Sequence, residues 1–211
     1  MAGRPIKPRL RGRLHQLAAV LAAPAGLALA VHAHSAGGRI GAVIYAATLL
    51  GLFGISSAYH VHHWSPEARA RMKKLDHSMI YVFIAGTYTP LCLTVLHGVL
   101  AGTLFVAVWL GAVAGVLLQF RPSLGSPSTG SALYIALGWM VLVGLPQLVQ
   151  GLGGTALGLL VAGGVVYTLG AVVLGTHWPD PVPHVFGYHE VWHTMVVLAC
   201  CCHYAMLWHV L

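Results

Sequence analysis

Three short fragments carry ionisable residues at spacings that could do chemistry: Ser56-Ser57-Ala58-Tyr59-His60, Asp76-His77-Ser78 and His189-Glu190-Val191-Trp192-His193. His189 and His193 stand four residues apart, which on a helix places both imidazoles on one face, close enough to share a metal ion. Ser56 and His60 are related in the same way. Neutral imidazoles from His60, His189 and His193 leave a tetrahedral metal one position open to water, the arrangement of catalytic rather than structural zinc. Zinc brings the pKa of such a water to about 7, so Asp76 is expected to act as general base or to hold that water. Ser56, one turn from His60, is placed to donate to a developing oxyanion. Imidazole suits iron and copper as well, so the spacing leaves the metal's identity open.

The elements that must position these residues are membrane helices. Of the 211 residues, 58% are apolar and 7% charged, whereas a soluble domain carries about a quarter charged residues. The apolar stretches are continuous and rich in Ala, Leu, Val and Gly, unlike the alternation of a spanning barrel. Seven segments predict an all-α, polytopic membrane protein with seven transmembrane helices: 14–31, 40–60, 78–96, 101–120, 132–149, 156–175 and 191–211. They form a single membrane domain over 1–211, preceded by a basic N-terminal segment, 1–13. That flank resembles the n-region of a signal peptide, but the apolar segment after it is longer than a usual h-region, so a retained first helix is expected. The small-residue run from Leu124 to Ser131 reads as a loop.

Of eleven basic residues, five precede the first span, Arg69, Arg71, Lys73 and Lys74 lie between the second and third, and Arg121 lies between the fourth and fifth. Only Arg39 falls on the other side, and this bias puts the N-terminus in the cytoplasm and the C-terminus outside. Depth then follows from helical rise. At about 1.5 Å per residue, the path from Ile40 to His60 runs about 30 Å, and the path from Leu211 back to His193 about 28 Å. Both histidines reach the inner edge of the hydrocarbon, and Asp76, beginning the third span, shares that layer. Polar groups at this depth are costly and usually functional.

Other features take plainer readings. The formal charge of +7 reflects cations that set topology and attract anionic headgroups; no nucleic-acid partner is expected from such short loops. Cys92, Cys200, Cys201 and Cys202 lie inside apolar segments, as packing thiols rather than a disulfide framework. His62, His63 and His77 lie in the same layer as the fragments and are substitute ligands. Glu190 points about 100° from His189 on an ideal helix, which suggests an interfacial role. His203 and His209 are expected to bond nearby backbone carbonyls, and Trp64, Trp178, Trp192 and Trp208 to form interface belts. Gly111 and Gly115 have the spacing of a helix-packing pair, expected within the bundle.

With these residues in hand, the chain resembles the hemolysin III family, bacterial members of the superfamily of progestin and adiponectin receptors. The likeness rests on Ser56-x-x-x-His60, on Asp76 sixteen residues after His60, on Ile84-Ala85-Gly86-Thr87-Tyr88-Thr89-Pro90 and on His189-x-x-x-His193. It implies a seven-helix fold and a cytoplasm-facing zinc site ligated by His60, His189 and His193, with Asp76 holding the zinc-bound water. Receptor relatives are linked to ceramide hydrolysis, so the resemblance points to a zinc-dependent hydrolase of a membrane lipid amide or ester, involved in membrane-lipid homeostasis. The rivals are a lipid-sensing or signalling protein with structural zinc and a pore-forming cytolysin. Against the last, the charged residues sit at span ends rather than lining several helices. Membrane lipids are the expected partners, in the cell's inner membrane.

Overall fold

The computed structural model describes residues 7–121 and 127–211, and among these it is helical throughout, with one isolated β-bridge between Val182 and Phe186. The helices are α1 (Arg13–His32), α2 (Ala36–Val61), α3 (Pro66–Thr94), α4 (Gly98–Phe120), α5 (Pro127–Trp139), α6 (Leu145–Gly151), α7 (Gly154–Thr176) and α8 (Tyr188–Val210). A 3₁₀ turn, Met140–Gly144, joins α5 to α6, so these two behave as one interrupted element and the bundle has seven. Each element packs on its sequence neighbour, and α1 meets α8 to close the ring. The outward faces carry Val20, Leu27, Val43, Leu110, Val113, Val161 and Val172, all exposed. Six elements of the described residues are long and apolar enough to cross a membrane. The chain is a multi-pass membrane protein.

The element that falls outside those six is α3, and its composition explains why. It begins at Pro66, about three turns before the span expected from hydropathy, so the basic segment read as a loop is helical. Ser65 caps it by accepting from the Ala68 N–H at 3.3 Å, with proline at the first position and Glu67 in the first turn, a strong start signal that charge alone had obscured. The second half is rich in polar and small residues because it faces protein, not lipid: Ala85, Gly86, Thr87, Tyr88, Thr89 and Pro90 are all buried.

The stretch Ile84–Pro90 is a packing device. Gly86 lies against Thr48 of α2, and a Cβ on Gly41 would come within 2.6 Å of the Pro90 Cα, so α2 and α3 approach closely through two glycines. Thr89 receives the Trp109 indole N–H from α4 at 3.2 Å. Tyr88 donates to the carbonyls of Leu137 and Gly138, at 2.9 and 2.7 Å. Those carbonyls precede the 3₁₀ turn, where the α-helical ladder is interrupted, so Tyr88 supplies a donor to backbone groups the turn leaves short of partners. The continuous fifth span expected from sequence breaks here because Pro146 has no N–H and fits only the first turn of a new helix.

Two further expectations meet the structure at α5 and α4. Residues 127–131 of the expected loop belong to α5, and 124–126 lie outside the described residues. Gly111 faces Leu137 and Gly115 faces Tyr81, so both pack inside the bundle. All four cysteines are free, Cys200 within 3.0 Å of the Tyr167 hydroxyl. Of the expected belt, Trp192 instead packs inward against Gly170 of α7, while Trp208 stacks on His32 with ring centroids 4.1 Å apart.

Candidate metal centre

His60 lies in the last turn of α2, His189 and His193 in the first two turns of α8, and Asp76 in the middle of α3. These positions meet at one end of the bundle because α2 runs towards it and α8 away from it. Nε2 of His60 is 3.3 Å from Nε2 of His189, and the His60 and His193 ring centroids are 5.0 Å apart. One nitrogen from each of the three rings falls within 4.8 Å of the others, a group able to hold a metal ion. Asp76 Oδ2 stands 3.7 Å from His60 Nε2.

The donor set fits a small divalent cation. With Zn–N bonds of about 2.0–2.1 Å, two ligands at tetrahedral corners are about 3.3 Å apart, which is the separation of His60 and His189. The Nδ1 of His193 is buried and has no protein partner, an orphan of the kind that buried polar groups seldom leave unexplained. The substitute ligands do not join the group: His62 and His63 are exposed, and His77 pairs with Gln119 of α4.

The surroundings correct one expectation and add to another. Glu190, read as interfacial, is 1% exposed; it receives the Arg11 guanidinium and accepts from the Gly187 N–H at 2.9 Å. The helical wheel gave its direction correctly, but what lies there is the N-terminal segment, docked by hydrogen bonds from Arg9 N–H to His184 O and from Leu10 N–H to Val185 O, both 3.1 Å. Gly12, at φ +80°, presses against the Cβ of His60, a close approach in a backbone region that favours glycine. Lys7 of the same segment is lowered from the ordinary lysine range by burial and by Arg69, Arg11 and Arg13 beside it. Ser56, expected to serve an oxyanion, has its Oγ 2.9 Å from Nδ1 of His15 and lies beside Asp76.

His15 is the residue sequence reasoning missed. It lies in the first turn of α1, buried, with its ring parallel to that of His193 at a centroid distance of 3.8 Å. The same depth arithmetic could have found it, since it opens the first span directly after the basic flank. It has no histidine at helical spacing on its own element. His203, expected to bond a backbone carbonyl, is buried against Gly163 of α7 with the Leu160 backbone beside it.

A family described as Haemolysin-III related matches residues 4–204. The chain belongs to this family. It is 33% identical to Hemolysin-3 of Bacillus cereus over 187 residues, covering 87% of this chain and 82% of that one. Against a Hemolysin-3 homolog of Bacillus subtilis the identity is 29%, covering 87% and 84%. Human monocyte to macrophage differentiation factor is 28% identical over 179 residues, covering 81% of this chain and 70% of that protein. These relatives join this haemolysin-III-related chain to the superfamily of progestin and adiponectin receptors.

Proposed function

We propose that this protein is a zinc-dependent hydrolase of a membrane lipid amide or ester, set in the inner membrane with its N-terminus and metal site on the cytoplasmic side and all seven elements spanning. The observation that carries the reading is the convergence of three imidazoles and one carboxylate from α2, α3 and α8 at a single end of the bundle. Orientation rests on the basic residues, which concentrate at that same end.

His60, His189 and His193 would hold the metal. Bound there, zinc polarises a carbonyl and lowers the pKa of water to about 7. Asp76 accepts the proton of an incoming water and returns it to the leaving amine or alcohol, the ordinary work of a carboxylate general base. Ser56 is assigned to orienting Asp76, because its single O–H cannot serve both the carboxylate and an oxyanion. Arg11, Glu190 and Gly12 back the site and limit entry of bulk water.

The test is lipid profiling of cells carrying Asp76→Asn or Asp76→Ala beside wild type, with elemental analysis of each purified protein. The expected result is one zinc in all three and loss of turnover in both variants. Turnover unchanged in the Asp76 variants would sink hydrolysis. A second reading, a lipid sensor with structural zinc, is favoured by the burial of His60 and His193. It is favoured also by the position of a cavity of about 450 Å³ at the opposite end, beside Thr94, Gly154 and His209. It predicts that metal removal costs stability while no lipid is consumed.

A further inference from the structure

His15 is buried at 3% exposure in a place where none of the roles above uses it. Its ring lies 6° from parallel with that of His193, and its other neighbour is Phe53, at 5.0 Å and tilted. Nδ1 reaches Ser56 Oγ at 2.9 Å, and the His193 backbone lies against the ring. It is not one of the three rings whose nitrogens converge.

Ser56 has one hydroxyl proton and lies beside both Nδ1 of His15 and the Asp76 carboxylate. With Nδ1 protonated and donating to Ser56 Oγ, the hydroxyl proton is free to turn towards Asp76, and the buried Nε2 carries no proton.

We propose that His15 is a positioning residue of the metal site, holding the His193 ring by stacking and the Ser56 hydroxyl, beside Asp76, through Nδ1. Four helices then define the centre rather than three, and α1 contributes to it without ligating. Partners that orient ligands in this way are typically worth 10–100-fold in metal affinity. The inference rests on the metal reading, and its test separates the two.

Zinc affinity and the absorption spectrum of the cobalt-substituted full-length protein would be measured for wild type, His15→Ala, His15→Asn and His15→Phe. Wild type is expected to bind one equivalent. His15→Ala should still bind one at saturation, with affinity lowered by about 10–100-fold and an altered cobalt spectrum. His15→Asn, which keeps a donor near the Nδ1 position, and His15→Phe, which keeps the stacked plane, should each recover part of both. Wild-type affinity and spectrum in His15→Ala would overturn the proposal. So would folded His15→Ala that binds no metal, which marks a ligand. If His15→Ala does not fold, His15→Asn and His15→Phe carry the test, and wild-type affinity and spectrum in both overturn the proposal. Wild type that binds no metal ends the metal reading and this inference with it; a loaded wild type beside an unaffected His15→Ala ends this inference alone.

Discussion

Glu190 stands between two of the site's histidines in sequence and is buried against Arg11, whose side chain is 20% exposed. Breaking such a pair from one side leaves the other charge uncompensated in a poorly solvated place, which costs about 3–5 kcal/mol when fully buried and less where water reaches one partner. Glu190→Gln is expected to lower thermal stability in detergent by the equivalent of about 1–3 kcal/mol. The double change Arg11→Met with Glu190→Gln should recover part of that loss, and a strictly additive double mutant would refute the coupling. How far each residue could be read beforehand follows from what helical arithmetic knows. His60, Asp76, His189 and His193 were legible because rise per residue gives depth, and depth together with topology gives a shared layer. His15 was within reach of the same arithmetic, but its stacking on His193 and the partner of Glu190 were not legible, because both depend on the N-terminal segment folding back over α8. That closure joins the two ends of the chain and leaves no mark in local spacing.

At the scale of the element, α3 is the helix on which the centre depends, since it carries Asp76 and packs against both α2 and α4. Its start at Ser65 was readable from the cap, the proline and Glu67, yet charge density argued for a loop. Charge won on paper because hydropathy measures compatibility with lipid, and the first turns of α3 do not need to meet lipid. The 3₁₀ turn after α5 was less legible: Pro146 announces a break, but its form depends on Tyr88 reaching across from α3. Tyr88→Phe removes the donor to Leu137 and Gly138 and should cost about 1–3 kcal/mol as a buried carbonyl loses its partner. The loss should appear as faster amide exchange in 137–151 while the exchange of α2 stays as in wild type. Gly86→Ala inserts a methyl group into Thr48, a stiff β-branched side chain that has no room to retreat. It is expected to cost about 1–3 kcal/mol by overpacking and to shift α3 enough to weaken metal binding, whereas Gly164→Ala, with open space around it, should leave both unchanged.

For the whole molecule, the ring of helices raises the question of what ties its non-adjacent members together. α2 and α8 are separated by α1 on one side and by α3 on the other, and away from the histidines they are linked by the Tyr45 hydroxyl donating to the Cys200 carbonyl at 3.3 Å. The Tyr45–Cys200 bond lies near the middle of both helices, and a metal held by His60 with His189 and His193 would add a second tie at the end of the bundle. Anything that binds the folded state alone stabilises it by mass action, about 2.7 kcal/mol at a ligand concentration 100 times Kd. Thermal unfolding of the purified protein should therefore shift upward with added zinc and downward with a chelator, with the shift growing as the logarithm of free metal. His193→Ala should abolish that dependence while leaving the metal-free midpoint within a few degrees of wild type, because without metal its ring contacts are with other imidazoles, those of His15, His60 and His189. A metal-dependent midpoint that survives in His193→Ala, or a wild type indifferent to chelator, would mean that these imidazoles do not grip an ion. The tie across the ring would then have to come from protein contacts alone.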